Sequence, residues 1–354
     1  MKSIRNIVEQ YYITSIDQLA NEVRVLEEAE NQNIKLKKIE RVILIGELFS
    51  KSIQSFKNEG YKIEYADPTK LEYKVEPKSG NIHINSEGKN IVLSSKDASN
   101  TIILMRSGYS DRNICFLLNQ IENLGITVLN SADPVIVSSD KFSTAELLSQ
   151  NGIPQPKYVL VKHEDCNKED HDNLVKKLKT LYNKVDDDTK FVCKILNGHG
   201  GKGVFLCRFS NIVSILQCIF ALDKERKILV QDFHKVKDGD IRVNVVTING
   251  KQEIFDISMR EKHSSDFRTN LSLGNTINND IKLTKEQEEI CLKAAKASGL
   301  IWAGIDLFPT QEGKNLVIEI NGAPGPMSNI DDEDNEKINH DFYKKLFETI
   351  NKLC

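Results

Sequence analysis

A glycine-rich stretch past the middle of the chain is the first candidate for chemistry. The residues KILNGHGGKGVFLC run from Lys194 to Cys207, and Gly198 to Gly203 match the spacing G-x-G-x-x-G. A dinucleotide-binding loop with this spacing opens a helix, whose N-terminus holds the pyrophosphate. Here an apolar run, VFLC, follows Gly203 and predicts a strand, and Lys202 lacks the Ser or Thr that follows it in a P-loop. The stretch therefore predicts a strand–loop–strand hairpin.

Such a hairpin can fold over the phosphates of a nucleotide. It has four glycines in six residues, so its backbone N–H groups can approach an anion without steric hindrance from side chains. Lys194, on the strand before the loop, adds a cation for phosphate. The alternative is an ordinary hairpin turn, which requires fewer glycines.

Two carboxylates and an amide form a second candidate site. The run AGIDLF places Asp306 in an apolar strand, and NLVIEINGAPG places Glu319 and Asn321 in the next. Residues two apart in a strand face the same side, and a hairpin connection at 309–314 brings Asp306 beside them. Oxygen ligands of this kind suit Mg²⁺. The alternative is a pair of edge strands whose acids face solvent, which the apolar neighbours disfavour.

Arginines near predicted strands form a third candidate cluster. Arg242 lies in GDIR, Arg260 follows in the next apolar stretch, and Arg268 lies in DFRTN. Arginines in such places suit a carboxylate substrate or a phosphoryl group in transfer. A surface salt bridge is the commoner role of any one arginine. Three arginines between the glycine hairpin and the acidic strands favour an anion site.

The elements that would hold these residues indicate a mixed α/β protein. A buried strand, a helix and a second strand predict a βαβ beginning near residue 42. A break at Gly152–Pro156 predicts a nearby domain boundary. The remaining predicted elements are a helical region over residues 1–40 with a capping box at Ser15–Gln18, strands at Val42–Ile45 and Lys62–Tyr65, a hairpin of Gly80–Ser86 and Lys89–Leu93, a strand at Thr101–Met105, a helix from Asp111 to Gly125, a charged helix within Lys162–Lys190, and a helix at Lys285–Ser298 that ends at Gly299.

The composition indicates a globular protein and argues against some classes of partner. The 354 residues are 40% hydrophobic and 28% charged, which is typical of a globular protein with two or three compact units. A net charge of −3 gives no reason to expect nucleic acid as a partner. We expect no membrane partner and a cytoplasmic protein, because the sequence shows no bilayer-spanning run and no signal peptide. Its seven scattered cysteines are expected to be free thiols.

A succession of motifs gives the chain a family resemblance. In order they are Asp140-Lys141, GIPQP, K-x-x-x-G-x-G-G-x-G-V, VQDF, GDIR, DFRTN, GIDL and EINGAPG. From about residue 41 to its end the chain resembles an ATP-grasp carboxylate–amine ligase of the RimK type, the branch that includes the ribosomal-protein glutamate ligase. The resemblance implies an α/β (α+β) ATP-grasp fold. Its expected segments are a helical extension (1–40), a pre-ATP-grasp α/β domain (41–135), a central α+β lid (136–230) and a C-terminal α+β unit (231–354).

The resemblance also implies roles for individual residues. The cofactors would be ATP and Mg²⁺, with Mn²⁺ as an alternative metal. The implied contacts are Lys141, Lys194, Gly198, Gly201 and Gly203 with the phosphates, Asp232 and Phe233 with adenine, Asp240 with ribose, Thr269 with the phosphate region, Arg242, Arg260, Arg268 and Asn270 with the reacting groups, and Asp306, Glu319 and Asn321 with the metal.

The implied reaction joins a carboxylate donor to an amine acceptor through an acyl phosphate, with release of ADP. The expected partners are an amino acid such as glutamate and a peptide, a protein tail or a small molecule. Two alternatives stay open: a ligase that cyclises a ribosomal peptide, and a scaffold that binds ATP without turnover. The run SLGN after Asn270 and the acidic run after NGAPG depart from the family and leave the acceptor open. A homo-oligomer is compatible with the resemblance.

Overall fold

The computed structural model describes residues 35–46, 50–166, 171–197, 201–269, 275–327 and 335–354. Of the helical region predicted over residues 1–40, residues 1–34 with the capping box lie outside the described residues, and residues 35–40 form no helix. No helix in the described ranges combines the length and apolarity needed to cross a membrane. All seven cysteines are described and none is disulfide-bonded, which confirms the predicted free thiols.

The N-terminal unit contains a parallel sheet and a small antiparallel sheet. Its elements are β1 (Arg41–Ile45), α1 (Ser50–Asn58), β2 (Lys62–Ala66), β3 (Leu71–Val75), β4 (Ile82–Ser86), β5 (Lys89–Leu93), β6 (Thr101–Met105), α2 (Arg112–Asn123) and β7 (Thr127–Leu129). The parallel sheet has the order β2-β1-β6-β7. All five residues of β6 are buried, as expected for a central parallel strand covered on both faces. The βαβ beginning is confirmed.

A helix cap and a turn determine where two elements of the N-terminal unit begin or end. The carboxylate of Asp111 accepts a hydrogen bond of 2.8 Å from the backbone N–H of Asn113 and caps α2. Between β4 and β5, Glu87 and Gly88 both have positive φ, 52° and 77°, which is the backbone of a two-residue hairpin turn. The predicted hairpin and the predicted cap are therefore confirmed.

The central unit is an antiparallel sheet covered on one face by two helices. Its elements are β8 (Tyr158–Val161), α5 (His171–Lys179), β9 (Lys190–Ile195), β10 (Val204–Arg208), α6 (Ile212–Leu222) and β11 (Ile228–Asp232). The strand order is β10-β9-β11-β8. Phe191 and Cys193 of β9 are buried with Leu216 of α6. Because side chains alternate along a strand, Lys194 lies on the opposite, uncovered face.

The C-terminal unit is an antiparallel sheet with one apolar and one polar face. The elements packed in it are α3 (Ala132–Ser139), α4 (Lys141–Gln150), β12 (Gly239–Ile248), β13 (Lys251–Glu261), β14 (Thr276–Asn278), α7 (Lys285–Ser298), β15 (Trp302–Pro309), β16 (Asn315–Asn321) and α8 (Asn335–Leu353). The strand order is β14-β13-β12-β15-β16. Val243 and Val245 of β12 pack with Cys291 of α7, so Arg242 and Asn244 lie on the other face. The predicted helix 285–298 is confirmed, and Gly299 ends it with φ 70°.

The N-terminal and C-terminal units share a hydrophobic core. Val42 and Leu44 of β1 pack in one cluster with Trp302 of β15 and with Tyr343 and Phe347 of α8. Burying each large side chain contributes about 1.5–3 kcal/mol.

Polar contacts reinforce this junction. The fully buried amide of Asn130 donates to the carbonyls of Trp302 and Gly322, both at 2.6 Å, and accepts from the Trp302 N–H at 2.8 Å. The Arg106 guanidinium donates to the carbonyls of Ala323 and Pro324 at 3.0 and 2.7 Å. The N-terminal unit thus holds the backbone that follows β16.

Candidate active site

A cavity of about 340 Å³ lies between the central and C-terminal sheets. Apolar side chains from both sheets form part of its wall, which suits a flat heterocycle. Charged side chains of both signs form the rest. The lining residues used below are Lys141, Val192, Lys194, Gly201, Asp232, Phe233, His234, Arg242, Arg260, Arg268, Thr269, Phe308, Asp306, Ile318, Glu319 and Asn321.

The glycine-rich stretch is a hairpin at one end of this cavity. Strand β10 pairs antiparallel with β9, with Val204 opposite Lys194, so the strand predicted after the loop is confirmed. Gly201 and Gly203 have φ of 73° and 75°. A Cβ on Gly203 would lie 2.8 Å from Cδ1 of Ile195, too close for a side chain. Gly198 lies outside the described residues.

Two lysines project into the cavity beside the hairpin. Burial, and to a smaller extent the neighbouring Lys141, lower the pKa of Lys194 to about 8 against the opposing charge of Glu319. The ammonium group of Lys194 has no hydrogen-bond or ion-pair partner among the described residues. Lys141 Nζ lies 3.5 Å from the carbonyl of Leu196 and 3.9 Å from Glu319 Oε1. Lys194 is therefore the side chain best placed to gain an anionic partner.

The three predicted metal-ligating residues meet on adjacent strands. Asp306 is directly opposite Glu319, and Asn321 is opposite Gly304. The Nδ2 atom of Asn321 lies 3.5 Å from Asp306 Oδ2. The described residues contain no group of three or more His, Cys, Asp or Glu that could hold a metal. The predicted set consists of two carboxylates and an amide, a donor set that fits Mg²⁺ once the amide oxygen turns inward.

Arg242 of β12 and Arg260 of β13 bind Asp306 of this set. Arg242 forms two hydrogen bonds with Asp306, one of them 3.1 Å from Nη2 to Oδ2. Arg260 Nη2 lies 3.3 Å from Asp306 Oδ2, and Arg260 Nε lies 3.0 Å from both oxygens of Asp240. Burial raises the pKa of Asp306, but the two guanidiniums outweigh burial and hold it below its ordinary value.

Asp240, the predicted ribose contact, is buried beside Arg260. Its side chain is completely buried, and its carboxylate accepts hydrogen bonds from Arg260. Burial raises its pKa, and the Arg260 charge opposes this. Burial disfavours the charge on Arg260, but the carboxylates of Asp306 and Asp240 outweigh it and raise the Arg260 pKa. In the structure Asp240 orients Arg260, and its contact with ribose stays a prediction.

Arg268 connects the C-terminal unit with the glycine hairpin. Its Nη1 donates to the carbonyl of Gly201 at 3.1 Å. Asp266 orients it through hydrogen bonds of 3.0 Å to Nε and 2.9 Å to Nη2. Thr269 is buried beside it, and Asn270 lies outside the described residues. The structure therefore brings Arg268 to the hairpin.

The end of β11 and the two residues after it line another part of the cavity. Asp232 is buried, and its Oδ2 lies 3.1 Å from Nε2 of His234, whereas its Oδ1 has no hydrogen-bond partner among the described residues. The backbone N–H of Phe233 donates to the hydroxyl of Tyr182 at 2.6 Å. A buried acceptor without a donor is costly, so Asp232 Oδ1 fits an N–H group of a ligand such as adenine.

Several supporting residues were not predicted from the sequence. Asp266 carried a weak signal, because it lies two positions before Arg268 within DFRTN. His234 directly follows VQDF but showed no metal or catalytic spacing. Tyr182 and Asn130 carried no signal, because their contacts lie 51 and 172 residues away along the chain.

The family model of the RimK-like ATP-grasp domain matches residues 138–350. The chain belongs to this family, and the resemblance of its motifs is confirmed. A protein of Pseudomonas fluorescens named "Probable alpha-L-glutamate ligase" is 31% identical over 213 residues, which cover 60% of this chain and 64% of the relative. One of Coxiella burnetii with the same name is 32% identical over 211 residues, covering 59% and 64%. The matched segment thus spans about 64% of the length of these relatives.

Solved structures of ATP-grasp enzymes share the fold. The ligase PsnB complexed with its minimal precursor has a TM-score of 0.56 and 16% identity, and the match covers 82% of this chain and 92% of PsnB. D-alanyl-alanine synthetase A of Vibrio cholerae has a TM-score of 0.57 and 14% identity, with 90% and 99% covered. The predicted ATP-grasp fold is therefore confirmed. The bounds of the four predicted segments stay predictions.

Proposed function

We propose that this protein is an ATP-dependent carboxylate–amine ligase that forms ADP. The observation that carries the proposal is the cavity between the two sheets, where Lys194 and Arg268 lie beside a glycine hairpin and the acids of β15 and β16 line the same wall. Cations and backbone N–H groups suit phosphates, and the acids suit the metal that accompanies a nucleotide. The names of the curated relatives support an amino acid as substrate.

The nucleotide would lie along the cavity from the β11 segment to the hairpin. Asp232 Oδ1 would accept an N–H of the adenine, and the apolar wall of Val192, Phe308 and Ile318 would enclose the ring. Lys194 and Lys141 would bind the phosphates. Arg268, held by Asp266, would keep the hairpin closed through the Gly201 carbonyl.

In the first step a carboxylate oxygen attacks the γ-phosphorus, the bond to the β-phosphate oxygen breaks, and ADP leaves. Arg242 and Arg260 line the cavity at this end and would stabilise negative charge on the transferring group. Asp306, Glu319 and Asn321 would hold Mg²⁺, which supplies charge neutralisation of the phosphates. In the second step an amine attacks the acyl carbon, inorganic phosphate leaves, and the nitrogen loses a proton.

The test is an assay of ADP release with glutamate as carboxylate donor and peptide amines as acceptors, with product masses measured. We expect ADP release to need both substrates and the product to gain one glutamate residue. Loss of water from a single peptide would instead indicate cyclisation. ATP binding without ADP release in any combination of substrates would contradict the proposal and favour a scaffold.

A variant of the metal set tests the chemistry. Glu319→Gln removes one charge from a half-buried carboxylate, and we expect ADP release to fall at least about a hundredfold. Glu289→Gln on the exposed side of α7 is the matched control and should retain activity. Unchanged turnover in Glu319→Gln would show that the metal assignment is wrong.

A further inference from the structure

A second cavity, of about 380 Å³, lies on the C-terminal unit between β13 and α8. Strand β13 and α8 supply its two sides, and residues after β14 and after β16 supply the rest. Its lining residues are Ile254, Phe255, Asp256, Ile257, Ser258, Asn279, Ile281, Pro326, Met327, Ile338, Asp341, Phe342 and Lys345. Nothing in the proposed nucleotide site uses this cavity, which we call the α8 cavity.

The α8 cavity and the nucleotide cavity lie along the same face of one sheet. Ser258 of β13 lines the α8 cavity and is directly opposite Arg242 of β12. Arg242 is in turn opposite Asp306 of β15. Side chains opposite each other on neighbouring strands lie about 5 Å apart. The α8 cavity therefore begins about two strand spacings from the carboxylate pair of the nucleotide site.

A bulge in β13 shapes the cavity. Asn244 pairs with Asp256, whereas the next residue, Val245, pairs with Ile254, which leaves Phe255 as the extra residue. The bulge turns Phe255 toward α8, where its ring lies 5.4 Å from that of Phe342. A β-bulge next to a functional site often changes the direction in which a side chain points.

The charges of the α8 cavity favour a cation. Asp256 is 16% exposed at its side chain, accepts a hydrogen bond of 3.1 Å from Asn244 Nδ2, and lies 3.5 Å from Lys345 Nζ. Lys345 is 56% exposed, so it is free to move away from Asp256. Asp341 adds a second carboxylate to the wall. Asn244 is completely buried, and its Oδ1 has no partner among the described residues.

Besides the polar residues Ser258 and Asn279, the remaining wall of the α8 cavity is apolar. Ile281, Met327 and Ile338 approach it from three different segments of the chain. A ligand with one ammonium group and an aliphatic side chain would match both the acidic and the apolar walls. A free carboxylate on the ligand would meet the two aspartates and be disfavoured.

We propose that the α8 cavity binds the amine substrate, with its ammonium group on Asp256 and an aliphatic side chain against Ile281, Met327 and Ile338. This inference rests on the proposed ligase function, which requires a second substrate beside the acyl phosphate. It names the amine as a peptide N-terminus, or an amino-acid amide, with an apolar first side chain. Before the attack, the ammonium group leaves Asp256 and transfers one proton to solvent, and the neutral amine nitrogen then attacks the acyl carbon.

The experiment separates amine binding from carboxylate activation. Hydroxylamine replaces the amine and traps the acyl phosphate as a hydroxamate, which measures activation alone. Leucinamide, glycinamide and N-acetylleucinamide are then compared as amines with glutamate as donor. We expect leucinamide to have a KM about tenfold below that of glycinamide, and N-acetylleucinamide to be inert.

Three variants test the assignment. Asp256→Asn should raise the KM for leucinamide at least about tenfold while hydroxamate formation stays unchanged. Lys345→Ala removes the competing cation and should lower this KM about threefold, which loss of folding could not produce. Ile338→Ala should raise the KM for leucinamide but leave that for glycinamide unchanged. Glu253→Gln, on the same strand but paired with Lys352 at 2.7 Å, is the control.

The outcomes distinguish this inference from the proposed function. If wild-type protein forms hydroxamate and ligates leucinamide, but Asp256→Asn leaves its KM unchanged, the inference is wrong and the proposed function stands. If wild-type protein forms no hydroxamate with any carboxylate, the proposed function fails. Calorimetry of leucinamide binding, with a non-hydrolysable ATP analogue present, then decides the inference: binding that Asp256→Asn abolishes supports it, and absence of binding to wild-type protein overturns it.

Discussion

Lys194 gives the proposed nucleotide site a testable pH dependence. Burial and the neighbouring Lys141 lower its pKa to about 8 in the protein without ligand. Only the protonated lysine can act as a cation for phosphate. ATP affinity should therefore be greatest below pH 8 and should fall as the pH rises through 8, because Lys194 must then take up a proton before it can bind phosphate.

The size of the change in ATP affinity follows from the fraction of protein molecules in which Lys194 is protonated. With a pKa of about 8, Lys194 is about nine-tenths protonated at pH 7 and about one-tenth at pH 9. The apparent Kd scales inversely with the competent fraction. The Kd for ATP should therefore rise about tenfold between pH 7 and pH 9.

The assay is calorimetric titration with ATP at pH 7, 8 and 9, in wild-type protein and three variants. Lys194→Met should weaken binding about 10- to 100-fold at pH 7, the value of a hydrogen bond to a charged group, and should lose the pH dependence. Lys194→Arg keeps its charge throughout, so binding should be nearly independent of pH. Lys202→Met, at an exposed position of the same loop, should behave as wild type.

One result would refute this reasoning. If Lys194→Met retained the tenfold change between pH 7 and pH 9, another group would be responsible for it. A wild-type Kd that is constant over this range would show that Lys194 stays charged or does not meet the phosphates.

Three further predictions concern residues that position the site. Gly203→Ala places a Cβ against Ile195 at a positive φ. It should reduce the free energy of unfolding by about 1–2 kcal/mol and raise the KM for ATP. The comparison is Gly250→Ala, whose added Cβ would contact no other atom. Asp266→Asn should lower turnover less than Arg268→Met does, because it only weakens the hydrogen bonds that orient the Arg268 guanidinium. An equal loss of turnover in the two variants would contradict this role of Asp266. Asn130→Ala removes three buried hydrogen bonds and should reduce the free energy of unfolding by about 3 kcal/mol or more in urea titration. A change below about 1 kcal/mol would contradict it.

The sequence contained enough information for the parts of the site that depend on local patterns. The run VFLC after Gly203 predicted the strand that excludes a dinucleotide loop. The two-residue spacing of Glu319 and Asn321 predicted that they share a face, and a short connection predicted that Asp306 lies beside them. Each of these conclusions uses residues close together in the chain, where strand periodicity is reliable.

The parts that depend on strand order and register were not predictable. The sequence placed Arg242, Arg260 and Asp240 in one region but could not show that the two arginines bind Asp306. That contact requires β12 to lie between β13 and β15, with Arg242 opposite Asp306. The burial of Asp240 likewise follows from register, because its partner Arg260 lies on the neighbouring strand.

The core shared by β1 and α8 has a consequence for how the protein forms. Val42 and Phe347 belong to one hydrophobic cluster although about 300 residues separate them. Such high contact order slows folding, because a long loop must close before the contact stabilises anything. During synthesis the parallel sheet would keep an uncovered apolar face until α8 has left the ribosome. Truncations that end before α8 should therefore aggregate. Adding an α8 peptide in trans and measuring how much soluble, folded protein it restores would show which part of the fold forms only when α8 is present.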